Sequence, residues 1–599
     1  MRGESRLRRH AGNEWRRRHS LWRLTLANVV DLARLLRDTW APLAGFLVIV
    51  ACAASYLAFV YAPRLAPLVA LYESLRLIIF QSSLTLPTDP LGETLFFAAP
   101  IIGVLLVVQS VVTFGRGYLD KSSRMQAWQV SLALTYRDHV VVCGLGRLGL
   151  RVITRLLQAG HEPVVIESNW DAPGVRQALR MKVPVIVGDA RDPQTLRQAR
   201  VGAARAIIAS IDGDMVDIEI ALVARELNSH IRVVLRAFSD ELDEDLEQTF
   251  GPGSAFSTSG LAASTFTAAI ISRGLDYVLP YGPGSQMLGI AETQLASGSP
   301  LIGPLAALES TYAARILAIR GMNGRAIHRD EVRAGDTLTL IGSLDGLAAA
   351  RAASGAPDAV SGDLPPLGPG ATVIICGLGK VGYRVVQRLH ELERPPRLIV
   401  VDSNGDHDHF VKRVRAMGDV TLFPGDATDA DVLKTAISEA GVARPTAVAA
   451  LTSQDDVNLR IGLAARSAYP GVHVVLRVFS HTLARELAQL FGIHTTYSTS
   501  NLASPTLAMA GLLRGVQRAF YASDAPYVSF DWEIKPGDRF AGVTGAQLRA
   551  RYGALVVTRQ RAGAVTPLPP LAEPLAVGDK ITLVGSAAAA VRAKLVATS

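Results

Sequence analysis

Three cysteines among 599 residues, Cys52, Cys143 and Cys376, cannot build a disulfide framework. Cys52 lies in an apolar run, and the other two hold matching places in two repeated strands. They read as small buried hydrophobes rather than redox or metal ligands, and they fit a reducing compartment for the soluble part. Charge is also scarce: Asp, Glu, Lys and Arg supply 19% of the chain while apolar residues supply 49%. Ordinary domains carry about a quarter charged residues, so this balance calls for a membrane segment or unusually buried sheets. The net charge of +8 invites a nucleic-acid partner. The excess, however, is gathered at the start, in Arg2, Arg6, Arg8, Arg9, Arg16, Arg17, Arg18 and Arg23. A basic run just before an apolar span is a topological signal, so no nucleic-acid partner is expected. The length excludes a single core and calls for several domains.

Long uncharged runs are present. Ala41–Ala62 carries no charge, and Thr94–Gly115 has Gln109 as its most polar member, with Pro100 and Gly103 placed to bend it. Each is long enough to cross a bilayer. The arginine-rich start is too long for a signal peptide, and no small-residue cleavage site precedes further apolar chain. Arginines precede the first span, and Arg116, Lys121 and Arg124 follow the second. The expectation is a multi-pass hairpin in a bacterial-type inner (plasma) membrane with both termini cytoplasmic.

Between the spans, Leu68 to about Gln81 has a helical pattern, and a turn rich in Pro and Asp follows from Leu86 to Gly92. Span, re-entrant helix, extended segment and span resemble a two-helix potassium-channel pore. Glycine is what this segment lacks: there is none from Phe46 to Leu91. A potassium filter is a ring of backbone carbonyls on a TVGYG-like strand, where glycine relieves otherwise unfavourable backbone angles. The stretch here reads IIFQSSLTLP, which leaves another selectivity, poor conduction or a plain anchor. Glu73 and Arg76, charges at membrane depth or its edge, are either functional or a mutual ion pair.

Beyond the spans, one pattern occurs twice. The strand His139–Cys143 runs into Gly144-Leu-Gly146-Arg147-Leu-Gly149 and a helical stretch, and a second strand ends on Glu167. Later, Val373–Cys376 runs into Gly377-Leu-Gly379-Lys380-Val-Gly382, and the next strand ends on Asp402. This is the dinucleotide fingerprint: one glycine for the turn, one for close approach of a pyrophosphate, one for helix–strand packing, and a distal acid for ribose hydroxyls. The acids favour NAD or an adenosine nucleotide over NADP, whose extra phosphate they would repel. Arg147 and Lys380 are either phosphate contacts or solvated cations at helix starts. Asp189 and Asp426, in matching Gly-Asp-Ala turns, lie where an adenine or ribose would sit or are plain turn residues. Arg232–Arg236 matches His473–Arg477, and Ser257-Thr-Ser259 matches Ser498-Thr-Ser500. The acidic run Asp240, Glu241, Asp243, Glu244, Asp245 and Glu247 offers oxygen ligands for Ca²⁺ but lacks the spacing of an EF-hand and reads better as a solvated helix face.

In sequence these units resemble two regulator-of-K⁺-conductance (RCK; TrkA-N/TrkA-C) units. The resemblance implies an α/β fold class: two tandem Rossmann-type RCK units, each with a small α+β C-lobe, behind a transmembrane hairpin with a re-entrant pore-like segment. The expected organisation is a basic segment 1–39, a hairpin 40–115 and a connector 116–137. The first N-lobe then covers 138–282 and its C-lobe 283–346, followed by a linker 347–370 rich in Ala, Gly and Pro. The second N-lobe covers 371–520 and its C-lobe 521–599. The resemblance further implies a gating ring in a homotetramer, NAD(H) or ATP/ADP as regulatory ligand, monovalent cations as cargo and a lipid bilayer as surroundings. Three functions compete: a nucleotide-gated channel subunit, a membrane-anchored sensor acting on a separate transporter, and an oxidoreductase. The last finds no substrate domain in the chain, so no enzyme is expected.

Overall fold

The computed structural model describes residues 25, 40–60, 65–119, 121–237, 243–282, 286–327, 329–355, 370–403, 409–493 and 495–592. The basic segment 1–39 (residue 25 apart), Asp240 and Glu241, and most of the expected linker lie outside these. The chain divides into an N-terminal unit and a larger unit that carries both repeats.

In the N-terminal unit, helices occupy Trp40–Val60, Pro67–Ile78 and Pro90–Leu119. Within the last, Pro90–Val112 is long and apolar enough to cross a membrane and is only 17% buried, and Ala44–Val60 is a shorter apolar stretch. The middle helix starts where Pro67 occupies its first turn, a position that needs no N–H. Glu73, although buried, accepts hydrogen bonds from the Ser83 backbone N–H (3.3 Å), Ser83 Oγ (3.0 Å) and Arg76 (2.9 Å). The ion-pair reading of Glu73 and Arg76 is therefore what the structure shows, and the same carboxylate ties down the stretch that follows. Phe80 takes φ +59°, a left-handed conformation in a stretch without glycine. Asp89 begins the next helix, accepting from Gly92 N (2.8 Å) and from Tyr56 Oη (2.5 Å).

The first repeat opens with a parallel sheet. Its strands are β1 (Val140–Cys143), β2 (Pro163–Glu167), β3 (Val185–Val187), β4 (Ala206–Ala209), β5 (Arg232–Ala237) and β6 (Ala255–Ser257), in the order 3-2-1-4-5-6. This is the doubly wound Rossmann order, and the unbroken apolar runs of its central strands follow from helices covering both faces. Its C-lobe is antiparallel: β7 (Tyr277–Pro280), β8 (Met287–Gln294), β10 (Ala314–Arg320), β11 (Ala326–Ile327) and β13 (Thr337–Gly342). They lie in the order 7-8-13-10-11, and β9 (Gly303–Pro304) pairs with β12 (Glu331–Val332) beside them. The helix Leu344–Ser354 occupies the first residues of the stretch read as linker. Its alanines are strong helix formers, and Gly355 closes it at φ +66°.

The second repeat reproduces both sheets. Strands β14 (Thr372–Cys376), β15 (Arg397–Asp402), β16 (Val420–Pro424), β17 (Ala447–Ala450), β18 (His473–Arg477) and β19 (Thr496–Tyr497) take the order 16-15-14-17-18-19. Strands β20 (Arg518–Ala522), β21 (Ala525–Glu533), β22 (Ala554–Arg561), β23 (Ala564–Pro567) and β24 (Lys580–Ser586) repeat the C-lobe in the order 20-21-24-22-23.

The two repeats share one core. Ala262, Phe266 and Tyr277 of the first pack in the same buried cluster as Val373, Val385 and Phe520 of the second. The helix Thr258–Ile271, apolar enough to mimic part of a span, is buried on all sides in this core. The repeated Ser-Thr-Ser motif explains its start: Ser257 Oγ accepts Gly260 N (3.1 Å), as Ser498 Oγ accepts Asn501 N (3.4 Å) in the twin helix Thr499–Leu512. Each repeat also reaches into the other at the first residue of its fifth strand. Arg232 donates to Ala510 O (3.3 Å), and His473 donates to Ala269 O (2.7 Å). Burial pulls the His473 pKa down to about 4, so the ring is neutral and can be buried with a single hydrogen bond.

Candidate nucleotide sites

Both glycine loops have the geometry the fingerprint requires. Gly144 and Gly377 turn the chain at φ +89° and +94°, a region side-chain-bearing residues avoid. A Cβ at Gly149 or Gly382 would lie 2.0 Å from the carbonyl oxygen of Gly144 or Gly377, so helix and strand pack too closely for any side chain. At Gly146 and Gly379 a Cβ would meet nothing within 4 Å. Glycine at those two positions is not needed by the chain itself; it keeps the space above the loop clear. The same residues are the N-caps of the helices Arg147–Gln158 and Lys380–His390 and supply no side-chain cap. The first backbone N–H groups of each helix, with the positive end of its dipole, are therefore directed at that space.

The distal acids are pinned to the loops. Glu167 Oε2 accepts Leu145 N at 2.7 Å and its Oε1 accepts Asn169 N at 3.1 Å, while Asp402 Oδ2 accepts Leu378 N at 2.6 Å. A carboxylate offers about four acceptor positions, so these bonds fix its orientation and leave capacity for a hydroxyl donor.

At the second loop, Gly377, Gly379, Lys380 and Asp402 line one cavity of 570 Å³. It also takes in Ser403, Thr452, Ser453 and Arg477 from the second repeat and Asp212 and Arg236 from the first. Gly382 packs beneath the loop, and Asp426 is not among the lining residues. Arg236 pairs with Asp212 at 3.3 Å, and burial holds Lys380 below its usual pKa against the pull of Asp212. Burial likewise brings the Arg477 pKa down to about 10, with Arg147 adding like-charge repulsion. Beside Lys380, which the fingerprint singles out, the wall of the site holds Arg236 and Arg477, which it does not. The sequence carries their signal, because Arg236 and Arg477 hold matching places in the repeated segments Arg232–Arg236 and His473–Arg477.

Arg147 lies across the repeat boundary. Its guanidinium carbon stands 4.1 Å from the Phe479 ring centroid, and Nη1 is 3.5 Å from Ser453 O. Asp189 accepts its own turn, Arg191 N at 2.9 Å, and pairs with the Arg191 guanidinium at 2.7 Å, which holds its carboxyl below the ordinary range. Asp426 accepts Thr428 N at 2.9 Å, with the same effect. Both make the hydrogen bonds of a turn aspartate. No group of three or more His, Cys, Asp or Glu able to hold a metal ion occurs among the described residues. Cys143 and Cys376 are buried and unbonded, and burial pushes both thiols up.

Fold and loops define the class: a tandem pair of Rossmann-type domains, each with a dinucleotide-type glycine loop and an appended antiparallel lobe. The sequence profile of the TrkA-N domain matches residues 140–253 and again 373–499. Each Rossmann lobe thus contains a match to the TrkA-N domain, and together the matched segments make up less than half of the chain. The chain is similar to probable potassium channel protein 2 of Methanocaldococcus jannaschii, 28% identical over 163 residues covering 26% of this chain and 46% of that one. It is 34% identical over 106 residues to the voltage-gated potassium channel Kch of Escherichia coli, covering 17% and 25%. To the Trk system potassium uptake protein TrkA of Azorhizobium caulinodans it is 24% identical, over 53% of this chain and 69% of the relative. The first two matches thus span less than half the length of those relatives. Among solved structures, the GsuK channel superposes with a TM-score of 0.50 at 20% identity, covering 93% of this chain and 98% of that one. That likeness is one of fold.

Proposed function

We propose that this chain is a nucleotide-regulated, potassium-type cation channel subunit. The tandem RCK units would form a cytoplasmic gating ring in a homotetramer, joined covalently through residues 116–137 to a two-span membrane hairpin. The observation that carries this reading is the doubled glycine loop, with a clear space over Gly146 and Gly379, a helix N-terminus aimed at it and a pinned carboxylate beside it, in a chain similar to proteins named as potassium channels. A regulatory ligand must prefer one state of the ring. The second site meets that requirement in principle, since residues of both repeats line its cavity and a bound nucleotide would hold them together. NAD(H), ATP and ADP suit the loop and the ribose acceptors Glu167 and Asp402, with phosphate charge met by Lys380, Arg236 and Arg477. The chain acts as a regulator and not as an enzyme on this reading. The glycine-free stretch before Pro87 favours a second reading, a membrane-anchored sensor that acts on a separate transporter.

Titration of the purified full-length chain with NAD⁺, NADH, ATP and ADP tests the site. Replacing Asp402 with Ala removes both the ribose acceptor and the partner of Leu378 N, and affinity at the second loop should fall by about 1–3 kcal/mol, roughly five- to 150-fold. Asp402→Asn keeps an acceptor for Leu378 N and should lose less. Equal affinity in wild type and both variants would remove Asp402 from the site.

A further inference from the structure

The two repeats differ at one buried position beneath their glycine loops. In the second repeat Asn458 is fully used: its Oδ1 accepts Thr452 N (2.9 Å), and its Nδ2 donates to Thr452 O (3.0 Å) and Arg477 O (2.8 Å). It thereby ties the end of β17 to the end of β18. The equivalent residue in the first repeat is Asp217, 1% exposed, whose Oδ1 accepts Ile211 N at 3.2 Å. Its Oδ2 is buried without a hydrogen-bond partner. By the equivalence of the repeats, Oδ2 occupies the place of the Asn458 amide, which in the twin faces two backbone carbonyl oxygens. An ionised carboxylate there would set acceptor against acceptor in a buried site. A protonated one would donate as the amide does.

We propose that Asp217 is held as a neutral carboxylic acid whose proton clamps the floor of the first glycine loop, making the first repeat proton-sensitive while Asn458 makes the second insensitive. The clamp reaches the loop directly, because a Cβ at Gly144 would lie 3.0 Å from Ile211 Cγ1, the side chain of the residue Asp217 holds. Ser210 Oγ beside it donates to Cys143 O at 2.9 Å.

The surrounding charges agree. Burial raises the Asp217 pKa to about 8, opposed by the Ile211 hydrogen bond and by Arg236 at the end of β5, and reinforced by Asp214 and Asp212. The Cys143 thiol on β1 faces the same group, and Lys380 of the second repeat interacts with Asp212, Asp214 and Arg236 beyond it. Because the folded-state value lies above the unfolded one, the folded chain binds the extra proton between them. Stability is then highest on the acid side and falls as pH rises toward about 8, above which the full loss has been taken.

The test compares wild type with Asp217→Asn in the full-length purified chain by chemical denaturation across pH. The ratio of unfolding constants, wild type over variant, should rise about tenfold per pH unit between about pH 5 and pH 7 and level off near the folded-state value. Between about pH 6, where burial places Asp276, and the Asp217 value of about 8, wild type should show the infrared C=O band of a protonated carboxyl that the variant lacks. Should Asp217→Asn not be recovered folded, Asn458→Asp must carry the same pH slope into the second repeat. A pH-independent ratio with no protonated-carboxyl band, or an Asn458→Asp chain without the slope, would overturn the proposal. The effect on the loop rests on the nucleotide-binding reading. With Gly379→Ala silencing the second loop, ADP affinity at the first should fall over the same pH range in wild-type background and stay level with Asp217→Asn. Absence of ADP binding at every pH would count against the nucleotide reading, and the denaturation and infrared results would still decide the protonation of Asp217.

Discussion

Gly379→Ala should leave the folded chain within about 1 kcal/mol of wild type, yet weaken nucleotide binding at the second loop a hundredfold or more. Gly382→Ala, three residues on, should lose both. The difference follows from what each added methyl meets. At Gly379 a Cβ finds nothing within 4 Å, and the backbone there is extended, at φ −80° and ψ −169°, so an alanine fits the unliganded chain. Only a group approaching the loop from outside collides with it. At Gly382 the Cβ falls 2.0 Å from the Gly377 carbonyl oxygen, a backbone atom that cannot swing aside. The helix or the turn must move, at a cost on the order of 3 kcal/mol, and the N–H groups aimed at the ligand move with it. Gly146→Ala and Gly149→Ala should behave alike in the first repeat. Calorimetric titration with ADP beside denaturant unfolding separates the two effects; equal losses of stability at Gly379 and Gly382 would contradict this assignment of roles.

Phe520→Ala should cost about 3–5 kcal/mol, a large-to-small change in a closed core. Phe520 is 2% exposed and stacks between Tyr277 of the first repeat (5.4 Å between ring centroids) and Tyr527 of the second (5.8 Å). The cavity would therefore open where the repeats share their core. Both repeats should be destabilised together, with a single shifted denaturant midpoint rather than two separated transitions. Leu490→Ala serves as the control, since Leu490 is 73% exposed and should change stability by less than about 0.5 kcal/mol. A Phe520→Ala chain as stable as the control would mean that the shared core contributes little.

Much of this was legible from the residues because it is local. The fingerprint names a strand, a turn and a helix within a dozen residues, and the structure folds them so in both repeats. Helix Pro67–Ile78 matches the periodic stretch between the apolar runs for the same reason. The small C-lobes were expected from the family resemblance, and the structure builds each around a five-stranded antiparallel sheet. What the sequence hid is juxtaposition. Arg236 and Asp212 reach the second glycine loop only because two Rossmann lobes pack against each other, and Arg147 rests on Phe479 for the same reason. Asp189 and Asp426 read equally as ligand or turn residues; each accepts a backbone N–H two residues on, as a turn aspartate does, and neither lines the cavity at the second loop. The Asp217–Asn458 difference becomes meaningful only through burial and the matching hydrogen bonds of the two residues, which a helical pattern alone does not report.

The most direct test of the whole account is potassium flux from vesicles reconstituted with the full-length chain, measured without nucleotide and with NAD⁺, NADH, ATP and ADP in turn. The account predicts cation flux that changes with at least one of these nucleotides and a response that disappears when Gly146 and Gly379 are both replaced by alanine. No flux under any nucleotide, or flux indifferent to all of them, would contradict it and leave the apolar hairpin as a tether.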